Sequence, residues 1–301
     1  MNDMDIRQMR SFVTVAQQGS FTTAGRVLQV SQPALSNQIR ALEEEFGTLL
    51  LLRHARGITL TTAGEKLLVE ARSIVRQVDR LQATLAAESP QPRGELAFGG
   101  PPSFTESLFP SVVRQYHSRY PGVLLKMTVE LTGELEVLLL RGEMDLCILT
   151  NPPSNKKLSF TPLVTEDLFL VGPPGSPLFR RRELEITDLT DLPLIVAGSG
   201  NFVRVQLERL AREEAVSLRI VAEVTNLGVP LIGRFVRDGL GYAVLTKRAV
   251  QDEFRPKEVG FSRLLGLVMN RVLARRADVP LSAAGLEMAN LIRQEAKSFV
   301  K

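Results

Sequence analysis

The sequence predicts an α/β protein in two parts, a small helical head joined by one long helix to a larger domain of alternating strands and helices. Three observations predict it. Closely spaced helical faces fill the first 46 residues, a heptad-spaced stripe runs from Leu67 to Leu85, and strand-like and helix-like segments alternate after a Pro/Gly break at 89–94. At 301 residues there is room for both parts, and 44% hydrophobic with 23% charged residues is the composition of a folded chain with real cores.

Met9, Phe12, Val13 and Ala16 repeat at i, i+3, i+4, i+7, which gives a first helix ended by Gly19. Ser20 and Thr22 offer caps for a short second helix whose Ala24, Val27 and Leu28 face inward, and the chain turns at Gln29-Val30. Ser31 caps a third helix with Pro33 in its first turn, where a missing N–H costs nothing. Leu35, Ile39, Leu42 and Phe46 form its buried stripe. Gln32, Ser36, Asn37 and Arg40, with Ser31 at the cap, occupy the other side. Such side chains can bond base edges and phosphates once a helix amino end enters the major groove. Taken alone, a polar solvated face on any three-helix domain reads the same way. Residues 49–60 add two short strands around a turn, a wing that offers Arg53 and Arg56 to phosphate or a minor groove. His54 is read as a surface turn residue, and Glu43, Glu44 and Glu45 as lying beyond the groove.

Thr62-Ala63-Gly64-Glu65 has capping-box spacing and opens the long helix. Leu67, Ala71, Ile74, Val78, Leu81 and Leu85 alternate at four and three residues along it, the seam of a paired coil. The alternative is that the stripe packs on its own domain; polar flanks such as Arg72, Arg76, Asp79 and Arg80 favour a paired helix.

Net charge is +4, and residues 1–93 hold 11 Lys/Arg against 9 Asp/Glu, so the basic excess is spread and nucleic-acid binding rests on pattern rather than bulk charge. The single Cys147 lies in an apolar run and reads as a core thiol. The opening residues lack a secretion signal and no apolar run approaches a membrane span, so a cytoplasmic protein without membrane contact is expected. His54 and His117 are far apart, and neither metal-spaced ligands nor a Walker-type phosphate loop appears, so neither an enzyme nor a cofactor is expected. The other rival, a cytoplasmic small-molecule-binding protein without a direct regulatory role, leaves the first 93 residues unexplained.

After the break come strands at Glu95–Gly99, Leu124–Val129 and Asp145–Leu149 with helices through Leu108–Tyr116 and Leu135–Leu139. Further strands at Leu168–Val171, Leu194–Ala197, Leu218–Ala222, Gly241–Leu245 and Leu264–Met269 are spaced by helices near Val203–Glu214 and Leu227–Arg237, and a helix over Ser282–Phe299 ends the chain. Ligands in open α/β folds bind beyond the carboxyl ends of strands. The candidate lining is therefore Pro101, Pro102, Ser103, Thr105, Thr132, Ser199, Asn201, Phe202, Thr225 and Asn226. Ser103, Thr132 and Asn201 serve equally as helix caps, and Arg204 equally as a solvated helix residue. Small polar side chains and two prolines suit a small polar or anionic metabolite.

Gly19-Ser20-Phe21-Thr22-Thr23-Ala24, Val30-Ser31-Gln32-Pro33-Ala34-Leu35-Ser36, Ile39-Arg40-Ala41-Leu42-Glu43 and Leu60-Thr61-Thr62-Ala63-Gly64 together resemble the signature of the LysR-type transcriptional regulators. Weaker likenesses in the second half include Gly142-Glu143-Met144-Asp145-Leu146 and Asp238-Gly239-Leu240-Gly241-Tyr242. The resemblance implies a winged helix-turn-helix over 1–62, a linker and dimerisation helix over 63–88, a hinge at 89–94 and an effector domain over 95–301. That domain would have two lobes like a type 2 periplasmic binding protein, lobe one about 95–164 and 262–301, lobe two about 165–261, with crossings near Thr165 and Phe261. By position Gln32, Pro33, Ser36 and Asn37 match groove-facing residues and Arg53 the wing arginine, and the family's effector pockets occupy the cleft positions above. The implied partners are double-stranded DNA at a pseudo-palindromic promoter site, a small metabolite and further copies of the chain as a dimer and tetramer, with RNA polymerase a candidate. Gly25 stands where the family usually has alanine, and Leu51-Leu52 where it has Phe-Glu.

Overall fold

The computed structural model describes residues 5–54, 57–85, 92–225 and 229–297. Arg56, Asn226, the side chain of Leu85 and residues 89–91 of the predicted hinge lie outside them. The chain divides into two compact units at Gly94 and Glu95, with Leu138–Met144 grouped with the first. Among the described residues no helix is long and apolar enough to cross a membrane.

In the first unit α1 (Ile6–Gln18) starts on an Asp5–Gln8 capping box and ends at Gly19, whose φ of 61° is left-handed. Ser20 caps α2 (Phe21–Leu28) and Ser31 caps α3 (Gln32–Phe46), each hydroxyl accepting a backbone N–H three residues on. Phe12, Ala24, Leu35, Ile39 and Leu42 are fully buried in one core. Two residues predicted inside are not there: Val27 is 59% and Phe46 44% exposed. Phe21 and Gly25 take the inward face of α2 in place of Val27, and Phe46 closes α3 one turn past the last core position. A Cβ on Gly25 would stand 2.8 Å from the Val30 carbonyl, so the glycine lets the turn after α2 close tightly.

The wing is β1 (Leu51–His54) paired antiparallel with β2 (Gly57–Leu60), Arg53 opposite Ile58. His54 is therefore an exposed strand end, not a turn residue. Glu43 accepts the N–H groups of Leu50 at 2.8 Å and Leu51 at 3.1 Å, tying α3 to the wing. The cap of α4 (Thr62–Leu85) is Thr61, which accepts from the Gly64 N–H at 3.0 Å; Thr62, the predicted cap, is already helical. The heptad stripe divides. Ala71 is fully buried beside Leu68 and Val75 in the head's own core, so it is withdrawn from the predicted pairing seam. Ile74 and Leu81 are exposed, and Leu67 and Val78 half-buried.

The second unit begins β3 (Gly94–Gly100), α5 (Pro102–Arg119), β4 (Val123–Val129), α6 (Thr132–Leu140), β5 (Leu146–Thr150), β6 (Leu158–Gly172) and β7 (Glu183–Leu184). It continues β8 (Pro193–Ala197), α7 (Phe202–Glu213), β9 (Arg219–Val224), α8 (Val229–Arg237), β10 (Ala243–Thr246), α9 (Lys247–Glu253), β11 (Gly260–Arg276) and α10 (Ala283–Ala296). The main sheet has the order β10-β6-β11-β5-β3-β4, with β7 on β11 and a separate parallel β8-β9 pair. The short strands expected at Leu168–Val171 and Leu264–Met269 are interior pieces of β6 and β11, 15 and 17 residues long, which pair antiparallel and run through both lobes. Thr165 faces Asn270, whereas Phe261 faces Val171, so the chain returns to lobe one near Asn270 rather than near Phe261. The ladder breaks between Arg263 and Val268, where Gly266 has φ 78°. Helix α9 was not expected from the sequence.

Lobe one packs α5 and α10 on the sheet through Phe98, Phe104, Tyr116 and Met288, and the Tyr116 hydroxyl donates to the Ala284 carbonyl at 2.9 Å. Lobe two has separate cores about Leu168, Leu194 and Leu207 and about Ile195, Val236 and Val250.

A Cβ at Gly64 would stand 2.1 Å from the Leu50 carbonyl oxygen, a backbone atom with little freedom to move. Gly64→Ala should therefore lower stability by about 1–3 kcal/mol despite alanine's better helix propensity. Urea unfolding of the full chain measures it, and unchanged or raised stability would show that the wing yields instead.

Candidate functional site

The first site is the outer side of α3. Gln32, Pro33, Asn37 and Arg40 are exposed there, Ser36 is half-exposed, and Ser31 is exposed at the cap. Burial of Leu35, Ile39 and Leu42 on the opposite side fixes which way this face points. The Arg53 guanidinium lies 4.3 Å above the Phe21 ring, and its Nη2 donates to Ser36 Oγ at 3.0 Å. Wing, second helix and third helix thus meet at one side chain, whose fork keeps further N–H donors for an anion. Phe21 was not foreseen in this role; its only sequence signal was an aromatic at a helix start.

The second site lies where the first lobe's strands end. Ser103 Oγ accepts from Arg271 Nη2 at 3.0 Å, and Thr132 Oγ1 accepts from the Thr150 N–H at 2.9 Å. Neither caps a helix with its hydroxyl: Thr132 is the first residue of α6, and Pro101 holds the cap position of α5. Thr105 is 3% exposed and its hydroxyl is directed at the carbonyls of Pro101 and Pro102, so it is a helix-internal group and not a lining one. Pro101 is also buried, while Pro102 is half-exposed.

On the second lobe Asn201 caps α7 by accepting from Val203 N–H at 2.9 Å, Ser199 is exposed, and Phe202 packs against the core below. Exposed Thr225 covers Gly198, where a Cβ would meet its methyl at 2.6 Å. The loop before α7 approaches lobe one, since a Cβ on Gly200 would lie 3.9 Å from Leu131. Arg204 pairs with Glu208 at 2.6 Å, and its side chain is only 13% exposed, so it is not a solvated helix residue.

Sequence reasoning missed Arg271. It is 1% exposed, its Nε donates to Glu166 at 3.0 Å, its Nη1 bonds Thr150 Oγ1, and it lies 5.1 Å from the Phe104 ring. Burial holds its pKa below the usual guanidinium value, with Glu166 opposing the shift in part. The signal available was an arginine set between two apolar runs, Leu264–Met269 before Asn270 and Val272–Ala274 after it. A cavity of about 390 Å³ also opens between α5, the start of α8 and α9, and among the described residues of the predicted lining only Ser103 reaches it. Beside it Glu106 is raised above the usual carboxylate range by burial and by Glu253.

Residues 6–65 match the family described as bacterial regulatory helix-turn-helix protein, lysR family, and residues 89–297 match the LysR substrate binding domain. A probable hydrogen peroxide-inducible genes activator of Streptomyces viridosporus is 32% identical over 293 residues, 94% of each chain. The Hca operon transcriptional activator HcaR of Escherichia coli K12 is 31% identical over 268 residues, 88% of each. Among solved structures, a full-length OxyR variant from Pseudomonas aeruginosa superposes with TM-score 0.78 at 24% identity, covering 99% of this chain and 96% of that one. Full-length CbnR complexed with its target DNA gives TM-score 0.63 at 22% identity, over 97% and 100%; both show the shared fold.

Cys147 is 1% exposed in β5, and burial, then the charge of Glu136, pushes its thiol up out of the usual range. In the native chain it should fail to react with a disulfide reagent such as DTNB at pH 8, and react fully once unfolded in guanidinium. Fast native labelling would contradict the buried placement.

Proposed function

The chain belongs to the LysR family of bacterial transcriptional regulators, and from that premise we propose which of its residues do the regulator's work. It is a DNA-binding regulator controlled by an effector. In this reading α3 enters the major groove with Gln32, Pro33, Ser36, Asn37 and Arg40 toward the bases and Ser31 near the backbone. Arg53 grips phosphate beside it. The observation that carries the assignment is the Arg53 junction, which holds the wing arginine against Ser36 on the exposed face of α3.

Leu67, Ile74, Val78 and Leu81 supply the seam along which two chains pair, giving two heads for a pseudo-palindromic site and, through the effector domains, a tetramer. The effector is a small polar or anionic metabolite held between the lobes by Ser103, Thr132, Ser199 and Thr225, and it acts by changing the lobes' relative orientation. The regulator works in the cytoplasm, where its DNA is.

Peroxide is a less suitable signal here than the names of some relatives suggest. The sequence has one cysteine, so no disulfide can form within the chain, and that thiol is buried. A gel-shift titration on the DNA upstream of its own gene, with and without candidate metabolites, tests the whole reading. No shift on any upstream fragment would overturn it.

On that DNA, Ser36→Ala and Arg53→Ala should each weaken binding by about 1–3 kcal/mol. Unchanged affinity and sequence preference in both would remove α3 as the reading helix. Ile74→Asp combined with Leu81→Asp should shift the chain to a smaller species in light scattering, because exposed seam positions tolerate charge only when unpaired. An unaltered mass would assign pairing elsewhere.

A further inference from the structure

Two contacts of opposite sense join the lobes beside the cavity between α5, α8 and α9. Helix α5 belongs to lobe one and α9 to lobe two, and the Ser107 hydroxyl on the first donates to Asp252 Oδ2 on the second at 2.6 Å. The same oxygen accepts from Arg248 Nε at 2.9 Å. Next to this bond two carboxylates line the cavity from opposite lobes, Glu106 on α5 and Glu253 on α9. Glu253 is fixed. Its side chain is 16% exposed, and Arg237 of α8 donates to its Oε1 at 2.7 Å and to its backbone carbonyl at 2.9 Å. Gly233 supplies the room it fills, since a Cβ there would overlap Glu253 Cγ. Glu106 has no such anchor. Among the described residues no cation forms an ion pair with it: on α9 Arg248 is turned to Asp252, and on α8 Arg237 is turned to Glu253. The rest of the wall, Ser103 and Pro110 of α5 and Val229 and Pro230 of α8, carries no charge. Helix α10, on the other side of α5, directs Glu295 to Ser111 and Gln115.

We propose that the α5–α9 contact is a proton-sensitive clasp between the lobes: Ser107 and Asp252 close it, ionised Glu106 opposite the fixed Glu253 loosens it, and a proton taken up by Glu106 lets it tighten. Burial first, and then Glu253, hold the Glu106 carboxyl above its usual range. The clasp is therefore tight below a window that lies above the ordinary carboxylate value, and it loosens as pH rises through that window. Ser103 stands one turn before Ser107 on the same helix and reaches both the cavity and Arg271, so a movement of α5 is felt where the first lobe's strands end. This rests on the reading that lobe orientation carries the effector's signal. The clasp biases the same equilibrium that the effector biases.

The test is the separation of two spin labels on the full-length protein, read by pulsed electron resonance without DNA or effector. Cys147 is buried, so labels go only to introduced cysteines, Ser118→Cys on exposed α5 surface of lobe one and Ser217→Cys on exposed surface of lobe two. Dilution with unlabelled chain removes distances between copies. The separation should differ by about 2 Å or more between about pH 5 and about pH 8. Glu106→Gln cannot ionise, and should hold the acid-side separation at both pH values. Ser107→Ala removes the closing bond, and should hold the separation seen at the higher pH at both. Each variant alters one half-exposed or exposed side chain, so folding is kept.

A separation indifferent to pH in the unaltered protein, a pH response that survives Glu106→Gln, or one that survives Ser107→Ala would each overturn the inference. The gel shift keeps the two readings apart. DNA binding with a pH-indifferent separation overturns only the clasp, whereas a pH-dependent separation without DNA binding overturns only the regulator.

Discussion

The buried ion pair of Arg271 and Glu166 is the constraint on which the effector domain turns. Taking two charges out of water costs several kcal/mol per ion, repaid only when geometry and remaining hydrogen bonds are satisfied. Here they are: Nε reaches Glu166, one terminal nitrogen Thr150 and the other Ser103, while the ring of Phe104 lies against the guanidinium. The pair sits on β6 and β11, the two strands that run continuously from one lobe to the other. A one-residue slip of either strand would send its charge to the opposite face and strand its partner in the core. The register of the crossing, the start of α5 and the end of β5 are thus set together.

The head obeys a similar rule on its surface. Arg53 is anchored on the Phe21 ring and Ser36, and Glu43 holds the wing's first N–H groups. Close backbone approaches at Gly25 and Gly64 let the turn and the wing seat against the helices. A reading surface built this way is arranged before it meets DNA, so less ordering cost falls on the binding step.

Most of the head was legible because its elements are short, capped and periodic: Ser20, Ser31 and Gly19 stand where spacing placed them. The misses have one cause. Val27 and Phe46 fit the helical period, but periodicity places a residue on a face without saying how far the neighbouring element extends. The long strands were illegible for a different reason. β6 and β11 far exceed the usual five or six residues, and their exposure changes as they pass from one lobe to the other, β11 also breaking at Gly266 within lobe two, so only their most apolar interiors stood out. Arg271 was hidden because its partners, Glu166, Thr150 and Ser103, lie 105, 121 and 168 residues away in sequence. Ser103 and Thr132 were found for their position after strands, but their hydroxyls serve as acceptors for interior donors rather than as caps.

The linker helix shows why a spacing rule can name the right element and still mix two jobs. Gly64, Leu68, Ala71 and Val75 repeat at four and three residues, while Leu67, Ile74, Val78 and Leu81 follow at seven, four and three. At 100° per residue the two series lie on neighbouring stripes about 80° apart. Both satisfy a heptad, and Ala71 was drawn from the first into the second. Burial separates them: the first stripe belongs to the head's core, and Arg10 on α1 reaches Asp79 at 3.1 Å, holding α1 along the helix well past that core. Of the second stripe, Ile74 and Leu81 are exposed, while Leu67 packs against the edge of that core. Because both stripes share one rigid helix, the angle between head and seam is fixed by the α-helical repeat itself, so two paired chains would present their reading helices at a spacing set by backbone geometry and not by a flexible joint.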